Sequence, residues 1–143
     1  MTRHTAFPAI AVIAALAALL QPVAAAELQL TIHNAPTVPS RMFVALFDTA
    51  ESMAANQPAR SRIVDIKGNP TTVTFGDLAA GAYAFTVFAD ENANGKLDTN
   101  LVGMPTERYG FSNDATGFMG PPRFDAAAVR LGDAHKAISI TLH

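Results

Sequence analysis

The sequence predicts an all-β fold: an antiparallel β-sandwich of about seven strands that carries one long Gly/Pro-rich loop. Short segments of alternating polar and apolar residues recur along the chain and are separated by turn residues. No segment repeats its apolar residues with the period of an amphipathic helix. The chain has 143 residues, including nine Gly and nine Pro, which is the length of one domain.

The first 26 residues have the pattern of a secretory signal peptide. Arg3 gives a positive start, an apolar Ala-rich run extends from Ala6 to Leu20, and small residues follow at 23–26. We expect cleavage after Ala26, with Ala25 as the alternative position, so that residues 27–143 form a single domain that is periplasmic or secreted. The alternative is an uncleaved membrane anchor, which the short apolar core and the adjoining small residues disfavour. After cleavage we expect no contact with the membrane.

Composition excludes several classes of protein. Twelve acidic residues outnumber ten basic ones, and no basic patch is visible, so nucleic acid is not an expected partner. The chain has no Cys, which excludes both disulfides and a lipid anchor on Cys. Stability must therefore come from the core, with or without a bound ion.

The first two strands are predicted from their alternation. In residues 27–33 the side chains of Leu28, Leu30 and Ile32 share one face, which predicts a half-buried strand. Residues 42–47 are apolar on both faces, which predicts a central strand. The stretch that follows, to residue 60, has no clear period and is a helical turn or a loop.

Residues 61–67 and 71–75 are predicted to be two short strands around a turn, and the next strand ends at Phe88. At the start of that strand, Leu78, Gly81 and Tyr83 have the spacing of a corner found in transthyretin-like and carboxypeptidase-regulatory-like β-sandwiches. This resemblance implies an Ig-like or transthyretin-like sandwich. We expect Gly81 to permit a close approach, and the phenol of Tyr83 to reach a backbone acceptor while its ring is buried.

The C-terminal third begins with an irregular segment. Residues 101–122 are rich in Gly and Pro and lack a period, which predicts a long loop. Residues 123–131 and 134–142 are predicted to form a last hairpin across Gly132 and Asp133. The three consecutive Ala residues within 125–131 favour a short helix as an alternative there.

Between the strand that ends at Phe88 and the long loop lies an acidic loop with the spacing of a calcium site. Asp, Asn, Asn, Gly and Asp stand at positions one, three, five, six and nine of the calcium-loop pattern. The predicted metal ligands are Asp90, Asn92, Asn94, the carbonyl of Lys96, and Asp98. Position twelve is Leu101, so Glu107, Asn100 or water must complete the shell. The alternative is a metal-free turn, because Asn-Gly and Asx residues stabilise turns by themselves.

Polar residues of the long loop are candidates for ligand binding. Glu107, Tyr109, Ser112 and Asn113 are predicted to form a surface at one end of the sandwich, where loops carry function. The alternative is that they organise their own loop, with Tyr109 and Phe111 covering the core.

We do not expect an enzyme. Ser112 has no His or acid at a recognisable nucleophile spacing, and there is no Cys. His33 and His135 are interpreted as surface residues and not as a metal pair. The alternative function is a hydrolase-like enzyme that uses the acidic-loop carboxylates and Glu107.

Five segments together resemble the bacterial family catalogued as domain of unknown function 2141. They are Asp90–Asn100, Gly103–Glu107, Tyr109–Asn113, Gly120–Pro122 and Phe124–Ala126. Members often have His before the first Asp, where this chain has Ala89, so a His ligand in the loop is not expected. The resemblance implies an exported, sandwich-like domain without a known activity. The expected function is a non-enzymatic binding or structural module, with calcium as its cofactor and a protein or glycan as its partner.

Overall fold

The computed structural model describes residues 25–37 and 39–143, and within them the chain forms eight strands and three short helical turns. The strands are β1 (Ala26–His33), β2 (Arg41–Phe47), β3 (Arg60–Asp65), β4 (Thr71–Leu78), β5 (Gly81–Asp90), β6 (Tyr109–Phe111), β7 (Val129–Leu131) and β8 (Lys136–Thr141). The helical turns are α1 (Ala50–Ala54), α2 (Phe124–Ala127) and a 3₁₀ turn at Ser112–Asp114. The prediction of a mostly β fold is confirmed.

The strands form two sheets. The first has the order β4-β1-β8, and the second has the order β3-β2-β5-β6, with β7 also paired to β5. Every strand pair is antiparallel except β1 and β8, which run parallel. Parallel neighbours cannot be joined by a two-residue hairpin, and β8 is instead reached from β7, which pairs with β5 of the other sheet.

Both sheets contribute to one apolar core. Leu28, Leu30 and Ile32 are fully buried on one face of β1, as their alternation predicts. The second sheet contributes the inward positions of β2 and β5. They are Met42, Val44, Leu46, Tyr83, Phe85 and Val87. As predicted, β2 is a central strand, since it lies between β3 and β5.

The corner before β5 is formed by Tyr83. Its hydroxyl donates to the carbonyl oxygen of Ala79 at 2.8 Å, while the residue as a whole is 8% exposed. The expected role of the phenol is therefore confirmed. A Cβ atom at Gly81 would lie 3.6 Å from the Tyr83 ring, an ordinary contact, so this packing does not itself require glycine.

Two connections differ from the sequence-based expectation. The short strands β3 and β4 lie in different sheets, so the turn between them crosses from one sheet to the other. The predicted last hairpin is wrong for the same reason, because β7 pairs with β5 whereas β8 pairs with β1. Alternation shows which side chains face a core, but both sheets face the same core, so it does not assign a strand to a sheet. The alternative of a short helix is confirmed at α2.

The edge of β5 is covered by two short strands with an excursion between them. β6 pairs with the last half of β5, and β7 pairs with its first half, so residues 112–128 leave the sheet and return to it. The expected loop of residues 101–122 is therefore interrupted by β6 and the 3₁₀ turn, with an isolated bridge between Thr99 and Pro105.

The edge strand β6 also contacts the other sheet. Tyr109 and His143 exchange two backbone hydrogen bonds, of 3.2 and 2.9 Å, just beyond the end of β8. This approach depends on Gly110, because a Cβ atom there would lie 2.7 Å from the carbonyl oxygen of Thr141. One seam between the sheets is thus closed by backbone hydrogen bonds.

The predicted signal peptide, residues 1–26, lies outside the described residues except for its last two positions. Ala26 opens β1 and is 2% exposed, so the first strand begins one residue before the expected domain boundary. Across residues 25–37 and 39–143, none of the helices has both the length and the apolar character needed to cross a membrane.

Candidate functional site

The acidic loop starts where β5 ends, at Asp90. The carboxylate of Asp90 is fully buried, and its Oδ1 and Oδ2 accept the backbone N–H groups of Asn94 and Gly95 at 3.0 and 2.9 Å. Arg41, its partner in the β2–β5 register, lies with its guanidinium 3.5 Å from Oδ2. A carboxylate that accepts two amides and faces a cation keeps its charge paired where water is excluded. Asp90 therefore stabilises the tight turn at its own end of the loop.

Asn92 and Asn94 form consecutive Asx turns. Asn92 Oδ1 accepts the Asn94 N–H at 3.1 Å, and Asn94 Oδ1 accepts the Lys96 N–H at 3.0 Å. Their side-chain NH₂ groups both donate to Oδ2 of Asp98. The Lys96 ammonium lies 3.9 Å from Oδ1 of the same carboxylate.

The side chains of three of the five predicted metal ligands, Asn92, Asn94 and Asp98, therefore converge, but the two amides direct N–H groups inward. Because their oxygens face the loop backbone, the two amides present N–H groups to the Asp98 carboxylate. Asp90 faces the backbone of the same loop, and Lys96 is represented at the centre by its ammonium and not by its carbonyl. Within the described part of the chain, no three His, Cys, Asp or Glu side chains cluster around a common point.

Glu107 joins the two ends of the acidic loop. Its Oε1 accepts the N–H of Glu91 and its Oε2 accepts the N–H of Asp98, both at 2.9 Å. The residue is 8% exposed, so both bonds are sheltered from water. A second hydrogen bond joins the same two segments: the Thr106 N–H donates to the carbonyl oxygen of Asp98 at 2.9 Å. Glu107 acts as a latch that holds the first and last turns of the loop together.

The residues that were expected to complete a calcium shell have other partners. Both oxygens of Glu107 are used by the backbone, and Oδ1 of Asn100 accepts the N–H groups of Val102 and Met104 at 3.0 Å each. Asn100 thereby organises a small hairpin whose tip exposes Leu101 and Val102 to solvent.

Ser112 and Asn113 form a clip that closes the excursion of residues 112–128. The buried Ser112 hydroxyl accepts the Phe85 N–H at 2.9 Å and donates to the carbonyl oxygen of Ala127. The Asn113 side-chain NH₂ donates to the carbonyl oxygens of Ala126 and Ala128 at 3.2 and 2.9 Å. These two predicted binding residues thus serve the backbone of their own loop.

Tyr109 lies apart from that clip, on the outer face of the second sheet. It is registered with Phe88, and its ring contacts that of Phe111 edge to face at 5.9 Å. The expectation that Tyr109 and Phe111 cover the core is wrong, because Gly110 is the residue of β6 that faces inward. The four predicted binding residues therefore do not form one surface. Glu107 belongs to the latch, Ser112 and Asn113 form the clip, and Tyr109 lies on the outer face of the second sheet.

The two histidines do not meet. In the β1–β8 pair His33 is opposite Thr141, at one end, whereas His135 precedes β8 at the other end. The Nδ1 atom of His135 lies 3.2 Å from Oε1 of Glu27. The interpretation of both as surface residues agrees with this geometry.

Arg41 and the latch role of Glu107 were missed by sequence reasoning. The register of β2 with β5 places Arg41 beside Asp90, and the sequence shows no local sign of that pairing. Glu107 lies sixteen residues after Glu91, so its role depends on the return of the chain into β6. In the sequence, Glu107 is an isolated acidic residue shortly before a strand with aromatic residues. That pattern is too common to indicate a structural role.

The fold and site define a two-sheet β domain whose acidic loop is closed by its own hydrogen bonds. The chain belongs to the family described as an uncharacterized protein conserved in bacteria (DUF2141), whose family model matches residues 30–139. The resemblance seen in the sequence is thereby confirmed. No curated protein and no solved structure matches the chain.

Proposed function

We propose that this chain is an exported, non-enzymatic β-sandwich module that binds a ligand or supports a larger assembly. One observation carries the non-enzymatic part: all four carboxylate oxygens of Asp90 and Glu107 accept backbone N–H groups. A general acid or base needs an oxygen directed at the substrate. Ser112 is equally engaged, since its hydroxyl is buried between two backbone groups.

We further propose that the two sheets form an Ig-like or transthyretin-like sandwich. Support comes from the shared core of the two sheets and from the Tyr83 hydroxyl, which donates to the Ala79 carbonyl at the corner before β5. Short strands linked by turns that cross between sheets are typical of sandwiches.

The proposed location is the periplasm or the medium, after cleavage of residues 1–26. Its support is the order of a positive start, an apolar run and small residues in the sequence. The proposed partner is a protein or a glycan, because an excess of twelve acidic over ten basic residues disfavours nucleic acid. No membrane contact is proposed for the cleaved form.

An activity survey tests this proposal against a hydrolase. The purified mature protein and Glu107→Gln are incubated with ester, glycoside, phosphodiester and peptide substrates. We expect no turnover above the blank for either protein. Turnover by the mature protein that is lost in Glu107→Gln at a temperature where that variant is still folded would establish the hydrolase instead. The mass of the protein recovered from the periplasm tests export, with Glu27 expected as its first residue.

Calcium binding by the acidic loop is the second candidate function. The observation that favours it is the convergence of the Asn92, Asn94 and Asp98 side chains on one point. Two carboxylates and two amides supply the oxygen donors that calcium prefers. To bind the ion, the two amides must turn their oxygens inward and give up their bonds to the loop backbone.

Thermal unfolding in the presence of calcium separates an ion site from a metal-free turn. With two carboxylates the affinity would be weak, with a Kd of ~0.1–1 mM. At about 10 mM calcium such a site raises the free energy of unfolding by roughly 1.4–2.7 kcal/mol. Asp98→Asn should abolish the effect, while magnesium serves as the ionic-strength control. An identical melting temperature in calcium, magnesium and chelator would establish the metal-free structural loop.

A further inference from the structure

The outer face of the second sheet carries a row of apolar side chains in one register line. β3, β2, β5 and β6 contribute one residue each, and the pairs Ile63–Phe43, Phe43–Phe88 and Phe88–Tyr109 are directly opposite each other. Their sequence neighbour Val87 faces the core, so the four side chains point to the solvent side. We call these four residues the outer aromatic row.

The outer aromatic row is ordered by its own packing. The rings of Phe43 and Phe88 are stacked, with centroids 4.8 Å apart and planes at 4°. Tyr109 packs edge to face on Phe111, and Ile63 at the far end is 56% exposed. Neighbouring strands lie about 4.8 Å apart, so the row is about 14 Å long. It presents a stiff apolar strip, because the stacked rings restrict each other.

One end of this face is closed and the other is open. Phe47 and Ala84 also lie on it, opposite each other, yet they are 1% and 0% exposed, and their strands β2 and β5 are contacted by α1 and α2. Toward the acidic loop the row is followed by a pocket of about 270 Å³. Its lining is Pro39, Ser40, Arg41, Asp65, Ile66 and Ala93. A ligand on the row thus has a wall beyond one long side of the row and a recess beside the other.

Polar groups flank the row on both long sides. Asp65 and Arg41 occupy the next outward positions on one side, and Ser61 and Thr86 occupy them on the other. Among the described residues, the Asp65 carboxylate, the Ser61 and Thr86 hydroxyls and the Tyr109 phenol have no hydrogen-bond partner. The strip is therefore bordered by free acceptors and donors, which suits a ligand that is apolar in its middle and polar at its rim.

We propose that the outer aromatic row binds a neutral oligosaccharide. A pyranose ring presents C–H groups on its face and hydroxyls around its edge, and each hydroxyl both donates and accepts a hydrogen bond. The apolar face would lie on the row, and the edge hydroxyls would reach Asp65, Ser61, Thr86 and the Tyr109 phenol. This inference rests on the proposed binding function and names its site and ligand class.

Other occupants fit the same surface less well. A full aromatic side chain presents 150–250 Å², so this half-buried row exposes on the order of 300 Å², whereas a stable protein interface takes about 800 Å² on each partner. An anionic ligand would need a free cation, but the Arg41 guanidinium already contacts Asp90. An acyl chain has no polar groups along its length, so it would cover the polar border without forming hydrogen bonds to it.

Amide NMR of the ¹⁵N-labelled mature protein tests the proposal, with cellohexaose, xylohexaose and mannohexaose as probes. We expect at least one of them to shift the resonances of the four row residues saturably below about 10 mM, in the millimolar range of a weak site. Phe88→Ala and Ile63→Ser should weaken that binding by about fivefold or more, roughly 1 kcal/mol. Phe118→Ser is the matched control, because Phe118 is 93% exposed in the excursion and off the row.

Tyr109→Phe keeps the ring and removes only the hydroxyl, so this variant is expected to fold. It should weaken saccharide binding by about twofold to fivefold. Three results would overturn the inference: no shifts with any of the three saccharides, shifts centred on the loops, or row shifts produced by spermine or a peptide but not by saccharides. Cleavage of a hexasaccharide in the NMR tube would instead refute the non-enzymatic function, so the two failures are distinguishable.

Discussion

Replacing Glu107 by Gln tests the latch on the acidic loop. The wild-type carboxylate accepts one backbone N–H on each oxygen, from Glu91 and from Asp98. Gln keeps the shape of the side chain but has one acceptor oxygen and one NH₂ group. Whichever way the amide turns, its NH₂ meets a backbone N–H, so one hydrogen bond is lost and the other loses its charge.

The expected cost follows from those two changes. A hydrogen bond to a charged group contributes about 1.5–3 kcal/mol, and a charge-assisted bond is roughly twice as strong as a neutral one. Together the changes lower the free energy of unfolding by about 2–4 kcal/mol. For a domain of this size such a loss lowers the melting temperature by roughly 10 °C.

Thermal unfolding and amide hydrogen exchange measure the effect at two levels. Exchange of the Glu91 and Asp98 amides should accelerate by about 30-fold or more, since 1.4 kcal/mol corresponds to a factor of ten. Glu91→Gln is the matched control, because its exposed side chain has one long contact, 3.4 Å from the Arg108 N–H. We expect it to change stability by less than about 0.5 kcal/mol. Equal melting temperatures for the two variants would refute the latch.

Two further substitutions test how the edge of β5 is built, and urea denaturation measures both. Gly110→Ala places a Cβ atom 2.7 Å from the Thr141 carbonyl oxygen and should cost about 1–3 kcal/mol, whereas Gly120→Ala, with open space around it, should be neutral in packing. Equal stability of these two variants would show that β6 does not need the close approach. Ser112→Ala leaves a buried β5 amide without its acceptor and should cost about 1–3 kcal/mol. An unchanged midpoint would contradict the clip.

The local features of this protein were predictable because they depend on neighbours in the chain. Alternation places Leu28, Leu30 and Ile32 on one face of β1 wherever that strand lies in the fold. The Tyr83 hydroxyl reaches a carbonyl only four residues earlier, so its role follows from spacing. The acidic loop is also a local structure, since Asn92 and Asn94 accept N–H groups two residues further along the chain.

By itself, then, the sequence determined the all-β class, the faces of the main strands and the presence of a tight acidic turn. The tertiary structure decided which strands are neighbours, because two sheets that share one core accept the same alternation. It placed β8 parallel to β1, and it brought Glu107 across sixteen residues to the loop. It also aligned Phe43 with Phe88, since only strand register decides which outward side chains meet.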